Sequence, residues 1–247
     1  MVRGVPATKA ARMVEAGDPL ALQGPGPRFV SRGGEKLDAA LDRFGIDVAG
    51  RTALDAGAST GGFTDCLLQR GAAHVVAVDV GRGQLDMRLR GDDRVTVRER
   101  TNVRHLTLAH LGPAATPFDL IVADLAFISL RTVAPALAAL ASPRGADLVL
   151  LVKPQFEAGR AEADRERGVI RDPDVWARAL RGVTDAFAAR GAVTVALTPS
   201  PLLGAEGNVE FLAHLVTGRT SADPAGIDAK IADAVAAAVA RREADAG

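Results

Sequence analysis

The sequence is short of several common features: it contains one cysteine, no tyrosine and no formal net charge. The single cysteine, Cys66, excludes an intramolecular disulfide framework and most cysteine-based zinc sites. The four histidines do not stand at metal-ligand spacing, so no metal site is predicted. No apolar run approaches the roughly 18 residues of a membrane span, and no signal-peptide pattern opens the chain. Together these absences predict a cytoplasmic protein that does not enter a membrane.

Lysine is also scarce. The chain has 30 cationic residues, and the lysines among them are Lys9, Lys36, Lys153 and Lys230. Arginine stays protonated in proteins, whereas lysine can lose its proton when it is buried or crowded. In a chain that uses arginine almost everywhere, the positions that keep lysine are candidates for proton chemistry.

The stretch from Leu54 to Thr64 has the pattern of a strand, a glycine turn and a helix. Such a turn presents backbone N–H groups and a helix N-terminus to a ligand. It is not the G-x-G-x-x-G of dinucleotide enzymes, because Ser59 stands at the second glycine position, which disfavours close approach of a pyrophosphate. Asp79 follows Gly57 at the distance expected of an acid that binds a ribose diol. The pattern therefore favours S-adenosylmethionine over NAD.

Four polar residues stand at the ends of predicted strands: Asp55, Asp79, Asp124 and Lys153. Strands and helices alternate along this part of the chain, which predicts an α/β fold with a mostly parallel sheet and helices on both faces. Ligands bind such sheets outside the carboxyl ends of the strands. We therefore expect these four side chains to lie around the ligand.

Weaker patterns place the remaining elements. Helices are predicted from Ser31 to Gly45, over 130–140 and from Asp172 onward, and further strands over 193–197 and 209–215. Residues 157–169 are charged and glycine-punctuated, which predicts a mobile loop. Apolar residues at 227, 231, 235 and 239 lie on one helical face and favour packing over a partner site. Asn102 follows the third strand, where it either borders an adenine or serves as a turn residue.

Four blocks in order resemble the TlyA (haemolysin A) family: Ser31–Leu37, Asp55–Asp65, Asp124–Leu130 and Leu151–Glu157. This family comprises S-adenosylmethionine-dependent ribosomal RNA 2′-O-methyltransferases related to the FtsJ type. The resemblance implies a Rossmann-like class I methyltransferase fold with a seven-stranded, mostly parallel sheet. It also implies that ribosomal RNA or a ribosomal subunit is the partner.

The resemblance also assigns site residues. It implies a catalytic Lys-Asp-Lys-Glu set, which falls on Lys36, Asp124, Lys153 and Glu210. Lys153 would act as the base, and the two carboxylates would orient the lysines. The cofactor-binding residues expected from the turn, the strand ends and the resemblance are Asp55, Gly57, Ala58, Ser59, Thr60, Gly61, Gly62, Phe63, Asp79, Asn102 and Asp124.

The family usually begins with a complete S4 RNA-binding domain, whereas Val2 to Leu22 resembles only its second half. We therefore expect a partial S4-like segment and linker over 1–27, a methyltransferase domain over 28–220 and a helical tail over 221–247. Cations in and just after the first segment (Arg3, Lys9, Arg12, Arg28 and Arg32) form either a phosphate-facing patch or a solvated surface. The low aromatic content of 4% favours recognition of RNA shape and backbone over base stacking.

Three other functions are compatible with parts of the sequence. A base or small-molecule methyltransferase would be expected to carry an Asn/Asp-Pro-Pro-Tyr/Phe motif, and the Asp124–Phe127 stretch lacks the prolines. A membrane-active haemolysin would need an amphipathic basic segment or an apolar span, and neither is found. A catalytically silent RNA-binding scaffold is disfavoured because Lys36, Asp124 and Lys153 are all present.

Overall fold

The computed structural model describes residues 2–7, 12–19, 21, 26–113, 115–159, 168–218 and 224–246. Its strands are β1 (Thr52–Ala56), β2 (His74–Val78), β3 (Val95–Arg98), β4 (Leu120–Ala123), β5 (Asp147–Val152), β6 (Ala192–Pro199) and β7 (Phe211–Thr217). Its α-helices are α1 (Arg32–Phe44), α2 (Gly62–Gln69), α3 (Met87–Arg90), α4 (Leu108–Leu111), α5 (Leu130–Leu140), α6 (Pro154–Glu157), α7 (Pro173–Ala188) and α8 (Pro224–Ala246). Short 3₁₀ turns lie at Val103–His105 and Ala205–Gly207.

The strands form one seven-stranded sheet in the order β3-β2-β1-β4-β5-β7-β6. The first five strands are parallel, and β7 is antiparallel to both β5 and β6. The strand order reverses between β1 and β4. The chain goes from β1 to β2 on one side of the sheet, and from β4 to β5 on the other side. Such a switch point is the usual ligand site of an open parallel sheet.

Helices cover both faces of the sheet. Successive strand residues point to opposite sides, so each strand contributes side chains to both layers. On one face, Leu37 and Leu67 from α1 and α2 pack with strand residues such as Val122. On the other, Leu137 of α5 and Trp176 of α7 pack with a second set of strand residues. This two-sided burial explains why the central strands are apolar throughout rather than alternating.

Local sequence signals set the ends of the helices. Gly45 ends α1 in the left-handed conformation, at φ 65°, where its N–H bonds back to the helix. Asp172 begins α7 by accepting a hydrogen bond from the backbone N–H of Asp174, and Pro173 occupies the first turn, where no N–H is needed. Both boundaries agree with the sequence prediction.

The predicted fold class is confirmed, and several boundaries differ; β6, for example, runs over Ala192–Pro199 rather than 193–197. The strand predicted over 209–215 begins at Phe211, so Glu210 lies just before β7 rather than inside it. The loop predicted over 157–169 starts one residue too early, because Lys153-Pro154 begins the short helix α6, which ends at Glu157. Residues 160–167 of that loop lie outside the described residues.

The N-terminal segment makes contacts within itself, whereas the C-terminal helix packs on the core. In the part of the N-terminal segment that the structure describes, Val2 and Val5 form an isolated bridge, and Arg3 pairs with Glu15 and Asp18. Lys9 lies outside the described residues, and the S4-like assignment stays a prediction. At the other end, α8 packs on the core through Ile231, with the apolar residues predicted to pack beside it. No helix in the described ranges is long and apolar enough to cross a membrane.

Candidate active site

The turn after β1 is shaped by the close approach of a neighbouring strand. Gly57 has φ 89°, and a Cβ atom there would lie 2.4 Å from the carbonyl oxygen of Asp124. The N–H groups of Gly57 and Ala58 both donate to the carbonyl of Val78, at 2.8 and 3.1 Å. Glycine is therefore required here both by conformation and by space. The ends of β1, β2 and β4 are joined at this point.

A second close approach brings α1 over the turn. A Cβ atom on Gly62 would lie 2.2 Å from Ser31 Oγ and 2.9 Å from the backbone nitrogen of Gly34. Glycine at the start of α2 thus lets the first turn of α1 lie directly against it. Lys36, one turn further along α1, is buried by this packing.

The two helices and the strand ends enclose a cavity of about 320 Å³. Three of the four predicted catalytic residues line it, namely Lys36, Asp124 and Lys153. Seven of the predicted cofactor residues line it: Gly57, Ala58, Ser59, Thr60, Gly62, Phe63 and Asp124, which belongs to both sets. The structure therefore gathers most of the predicted site into one place.

The two lysines at the cavity are each held by a carboxylate. Lys153 Nζ lies 2.5 Å from Asp124 Oδ1, which joins the end of β5 to the end of β4. Lys36 Nζ lies 2.5 Å from Glu210 Oε2 and donates a hydrogen bond to it. Glu210 is 3% exposed and reaches the site through Lys36 rather than by lining the cavity. All four predicted catalytic residues are thus joined as two ion pairs around one space.

Asp55 lies beneath the turn and is fully buried. The Thr64 hydroxyl donates a hydrogen bond to its Oδ2 at 2.6 Å, whereas Oδ1 has no hydrogen-bond partner among the described residues. Burial raises the pKa of Asp55 to about 7, and the hydrogen bond from Thr64 only partly opposes this. Asp55 is not part of the cavity lining, so its predicted contact with a cofactor stays a prediction.

The remaining predicted cofactor residues do not line the cavity. Asp79, directly after β2, accepts hydrogen bonds from the backbone N–H groups of Ser59 and Gly81. Gly61 has φ 101° and packs against Leu85 and Leu89. Asn102 caps the 3₁₀ turn after β3 by accepting from the N–H of Arg104, which is the turn role that the sequence left open. The cofactor roles of Asp79, Gly61 and Asn102 stay predictions.

Sequence reasoning gave no catalytic or cofactor-binding role to several residues that the structure places here. Ser31, Arg32 and Gly33 form the wall of the cavity contributed by α1, and Ala126 lies beside Asp124. These residues belong to the Ser31–Leu37 and Asp124–Leu130 blocks. The family resemblance rested on each block as a whole and did not single them out. A pattern along the chain does not show which residues of a motif turn toward a cavity.

The geometry fits a nucleoside that carries a reactive group. The bare glycine turn borders the cavity on one side, whereas the Asp79 carboxylate accepts from the N–H groups of Ser59 and Gly81 and does not line it. The unpartnered Oδ1 of Asp55 can accept one more hydrogen bond. The two lysine–carboxylate pairs face the same space and provide polar groups for proton transfer. Among the described residues no group of side chains is suited to hold a metal ion.

Comparison with known proteins agrees with this geometry. A sequence model described as FtsJ-like methyltransferase matches residues 29–217. The chain is 49% identical over 239 residues to the 16S/23S rRNA (cytidine-2′-O)-methyltransferase TlyA of Mycobacterium tuberculosis, covering 96% of this chain and 86% of that protein. It is 38% identical over 216 residues to Hemolysin A of Brachyspira hyodysenteriae, covering 87% and 88%.

A solved structure described as "Putative hemolysin from Streptococcus thermophilus" superimposes with a TM-score of 0.79 at 40% identity, covering 92% of this chain and 82% of that one. Proteins named as methyltransferases and proteins named as hemolysins therefore share this fold and sequence pattern. The family model spans every strand and both lysines of the site. The chain belongs to the FtsJ-like family of S-adenosylmethionine-dependent methyltransferases.

Proposed function

We propose that the protein transfers the methyl group of S-adenosylmethionine to a ribose 2′-hydroxyl of ribosomal RNA, and that Lys36, Asp124, Lys153 and Glu210 are its catalytic set. The observation that carries the proposal is the pairing of both lysines with carboxylates around the cavity next to the glycine turn. The relative from Mycobacterium tuberculosis, named for cytidine 2′-O-methylation of ribosomal RNA, supports the choice of substrate.

The chemistry requires a base, because a ribose hydroxyl is a poor nucleophile until its proton is removed. The bound cofactor supplies a methyl group on a sulfonium, which accepts an oxygen nucleophile in line. In the proposed step, the Lys153 ammonium first releases a proton to solvent, and the neutral Nζ then accepts the hydroxyl proton as the 2′-oxygen takes the methyl group, while the carbon–sulfur bond breaks and the sulfonium would leave as a neutral thioether. Asp124 Oδ1, 2.5 Å away, then stabilises the ammonium that forms.

Lys36 has a different part in the proposal. Its ammonium carries three N–H donors, of which one is directed to Glu210. The other two are available to hold the 2′-oxygen and to stabilise its developing negative charge. Glu210 compensates the charge of Lys36 and fixes its position, because both side chains are buried. In this proposal each lysine has its own carboxylate partner: Lys153 is the base, and Lys36 binds the 2′-oxygen.

Transfer of a labelled methyl group tests the proposal. Purified protein is incubated with methyl-labelled S-adenosylmethionine and with unmodified small or large ribosomal subunits. The label is expected in an alkali-resistant dinucleotide, because a methylated 2′-oxygen cannot attack the adjacent phosphate. Lys153→Ala is expected to lower the rate by about 10²–10⁴-fold, the usual contribution of a general base, while the affinity for the cofactor changes little.

Lys230→Ala is the matched control, because Lys230 lies on α8 and, within the part of the chain that the structure describes, donates only to the carbonyl of Gly226. It is expected to keep full activity. Label on a base rather than a ribose would contradict the proposed chemistry. Cofactor binding without any transfer to either subunit would instead indicate a non-catalytic RNA-binding role.

A further inference from the structure

Glu157, the last residue of α6, is buried and accepts hydrogen bonds from three consecutive residues on another segment. Its carboxylate accepts from Ser129 Oγ at 2.5 Å, from the backbone N–H of Leu130 at 2.7 Å and from Arg131 Nε at 3.3 Å. The Arg131 guanidinium also donates to the backbone carbonyl of Glu157 at 2.7 Å. A buried carboxylate with this many donors is a strong tether, since breaking it leaves a desolvated charge.

The tether joins the two segments that carry one of the ion pairs of the site. Asp124 begins the segment between β4 and α5, and Ser129 ends it. Lys153 directly follows β5 and is the N-cap of α6, which ends at Glu157. The two segments therefore contact each other twice. The Asp124–Lys153 pair joins their first residues, and the Glu157 contacts join their last ones. Fixing one end limits the freedom of the other.

The backbone between these ends shows that the segment needs such a tether. Phe127 adopts φ 64°, a left-handed conformation that is unfavourable for a bulky residue, and its side chain is 92% exposed. Its ring meets that of Phe156 with 5.3 Å between the centroids. Glu157 adjoins Phe156, so the carboxylate holds the strained segment in place from the side of α6.

We propose that Glu157 is a positioning residue for the reaction: it holds the segment after β4 against the segment after β5, and so keeps Asp124 and Lys153 at hydrogen-bond distance. The catalytic part of this inference rests on the function proposed above. Glu157 does not line the cavity, so it acts through the two catalytic residues rather than on the substrate. Its loss should therefore affect kcat more than the cofactor affinity.

The choice of side chain at 157 follows from the donors. Leu130 N–H and Arg131 can only donate, and they approach different oxygens of the carboxylate. Alanine removes every side-chain contact. Glutamine keeps one oxygen for Leu130 N–H, but it turns an NH₂ group toward Ser129 and Arg131. Ser129 can accept from that group, whereas Arg131 cannot, so glutamine should restore part of the tether.

The test compares Glu157→Ala and Glu157→Gln with Thr217→Ala. Thr217 is the matched control, because it is also buried and joins distant segments: its Oγ1 donates to the carbonyl of Ser142 at 2.6 Å and accepts from Ala146 N–H at 2.8 Å. It lies at the end of β7 farther from the cavity. Each variant is measured for kcat and KM of methyl transfer, for the dissociation constant of the cofactor, and for its crystal structure.

Glu157→Ala is expected to lower kcat by about 10–100-fold, the scale of a misplacement near 1 Å, with a smaller change in the cofactor dissociation constant. In its crystal structure the Lys153–Asp124 pair should be broken. Glu157→Gln should fold and lose about fivefold in kcat, on the same scale. Thr217→Ala should lose stability but keep the wild-type kcat and ion pair.

Wild-type kcat in both Glu157 variants, or an intact Lys153–Asp124 pair in the crystal structure of Glu157→Ala, would overturn the inference. An equal loss of kcat in Thr217→Ala would overturn it as well, because the effect would then be one of general stability. If the wild-type protein methylates no ribosomal RNA, the proposed function fails, and the crystal structures of the variants still decide whether Glu157 positions the pair. If Glu157→Ala does not fold, Glu157→Gln decides alone.

Discussion

Lys36 Nζ and Glu210 Oε2 lie 2.5 Å apart although 174 residues separate them in the sequence. Lys36 is on α1, at the start of the matched domain, and Glu210 directly precedes β7, near its end. Both side chains are almost fully buried. The pair therefore joins the first helix of the domain to its last strand at the edge of the cavity.

Removing one member of this pair should destabilise the protein more than removing both. Glu210→Ala leaves the Lys36 ammonium buried without its partner, and the free energy of unfolding is expected to fall by about 3–5 kcal/mol. The double variant Lys36→Met with Glu210→Leu should recover most of that loss, because apolar groups of similar size need no partner. Urea unfolding measures both.

Neither Glu210→Ala nor the double variant should methylate RNA if Lys36 has the role proposed for it. Recovery of stability without recovery of activity would separate the two functions of the pair. A single variant as stable as the wild type would show that the ion pair contributes little, and an active double variant would remove Lys36 from the catalytic set.

The close contact at Gly57 gives a second prediction. Gly57→Ala should reduce cofactor affinity by more than tenfold and destabilise the fold, because the new methyl group would lie 2.4 Å from the carbonyl oxygen of Asp124. Gly50→Ala is the control: Gly50 also has positive φ, at 73°, but nothing lies within 4 Å of its Cβ position. It should show only the backbone cost, on the order of 1–2 kcal/mol.

Isothermal titration with S-adenosylmethionine and urea unfolding are measured on both variants. Equal behaviour of the two would mean that the contact with Asp124 adds nothing beyond backbone strain. A Gly57→Ala variant that binds the cofactor normally would mean that the turn relaxes without moving the site.

These contacts also show how far the sequence could predict the molecule. The apolar runs at β2, β4 and β5 predicted the parallel sheet, because a strand buried on both faces cannot alternate. The polar residues that follow those runs, such as Asp124 and Lys153, were correctly expected at one edge of the sheet. Both conclusions need only local pattern and the rule that parallel strands end together.

Contacts between distant segments could not be predicted in this way. The pairing of Lys36 with Glu210 and the burial of Glu157 depend on how α1 and α6 pack, and no periodicity along the chain encodes that. The need for glycine at Gly62 is of the same kind, since it arises from the distance to Ser31. The family resemblance named Lys36 and Glu210 as members of one catalytic set without pairing them, and it pointed to neither of the other contacts.

The single cysteine provides a probe of unfolding. Cys66 is fully buried on α2, and burial, reinforced by the nearby Asp38 carboxylate, raises the pKa of its thiol to about 12. The native protein should therefore resist iodoacetamide at pH 8, and it should be alkylated once when guanidinium chloride unfolds it. Mass spectrometry gives the label count directly. Rapid alkylation of the native protein would show that α2 opens locally.

The buried carboxyl of Asp55 predicts how stability changes with pH. Its pKa is about 7 in the folded protein and near 3.8 when the chain is unfolded. Between these values the unfolded chain releases the proton first, so the stabilisation is complete below about pH 4, falls as the pH rises toward 7, and stays low above it. A shift of this size corresponds to about 4 kcal/mol.

Asp55→Asn has no proton to release and can still form a hydrogen bond with Thr64. Without cofactor, the free energy of unfolding of this variant minus that of the wild type should therefore rise between pH 4 and pH 8, by up to about 4 kcal/mol. Using the difference cancels the exposed carboxylates that titrate in both proteins. Urea unfolding at several pH values measures it. A flat difference would show that Asp55 ionises as readily in the folded protein as in the unfolded chain, and a falling one would show that a folded-state partner stabilises its charge.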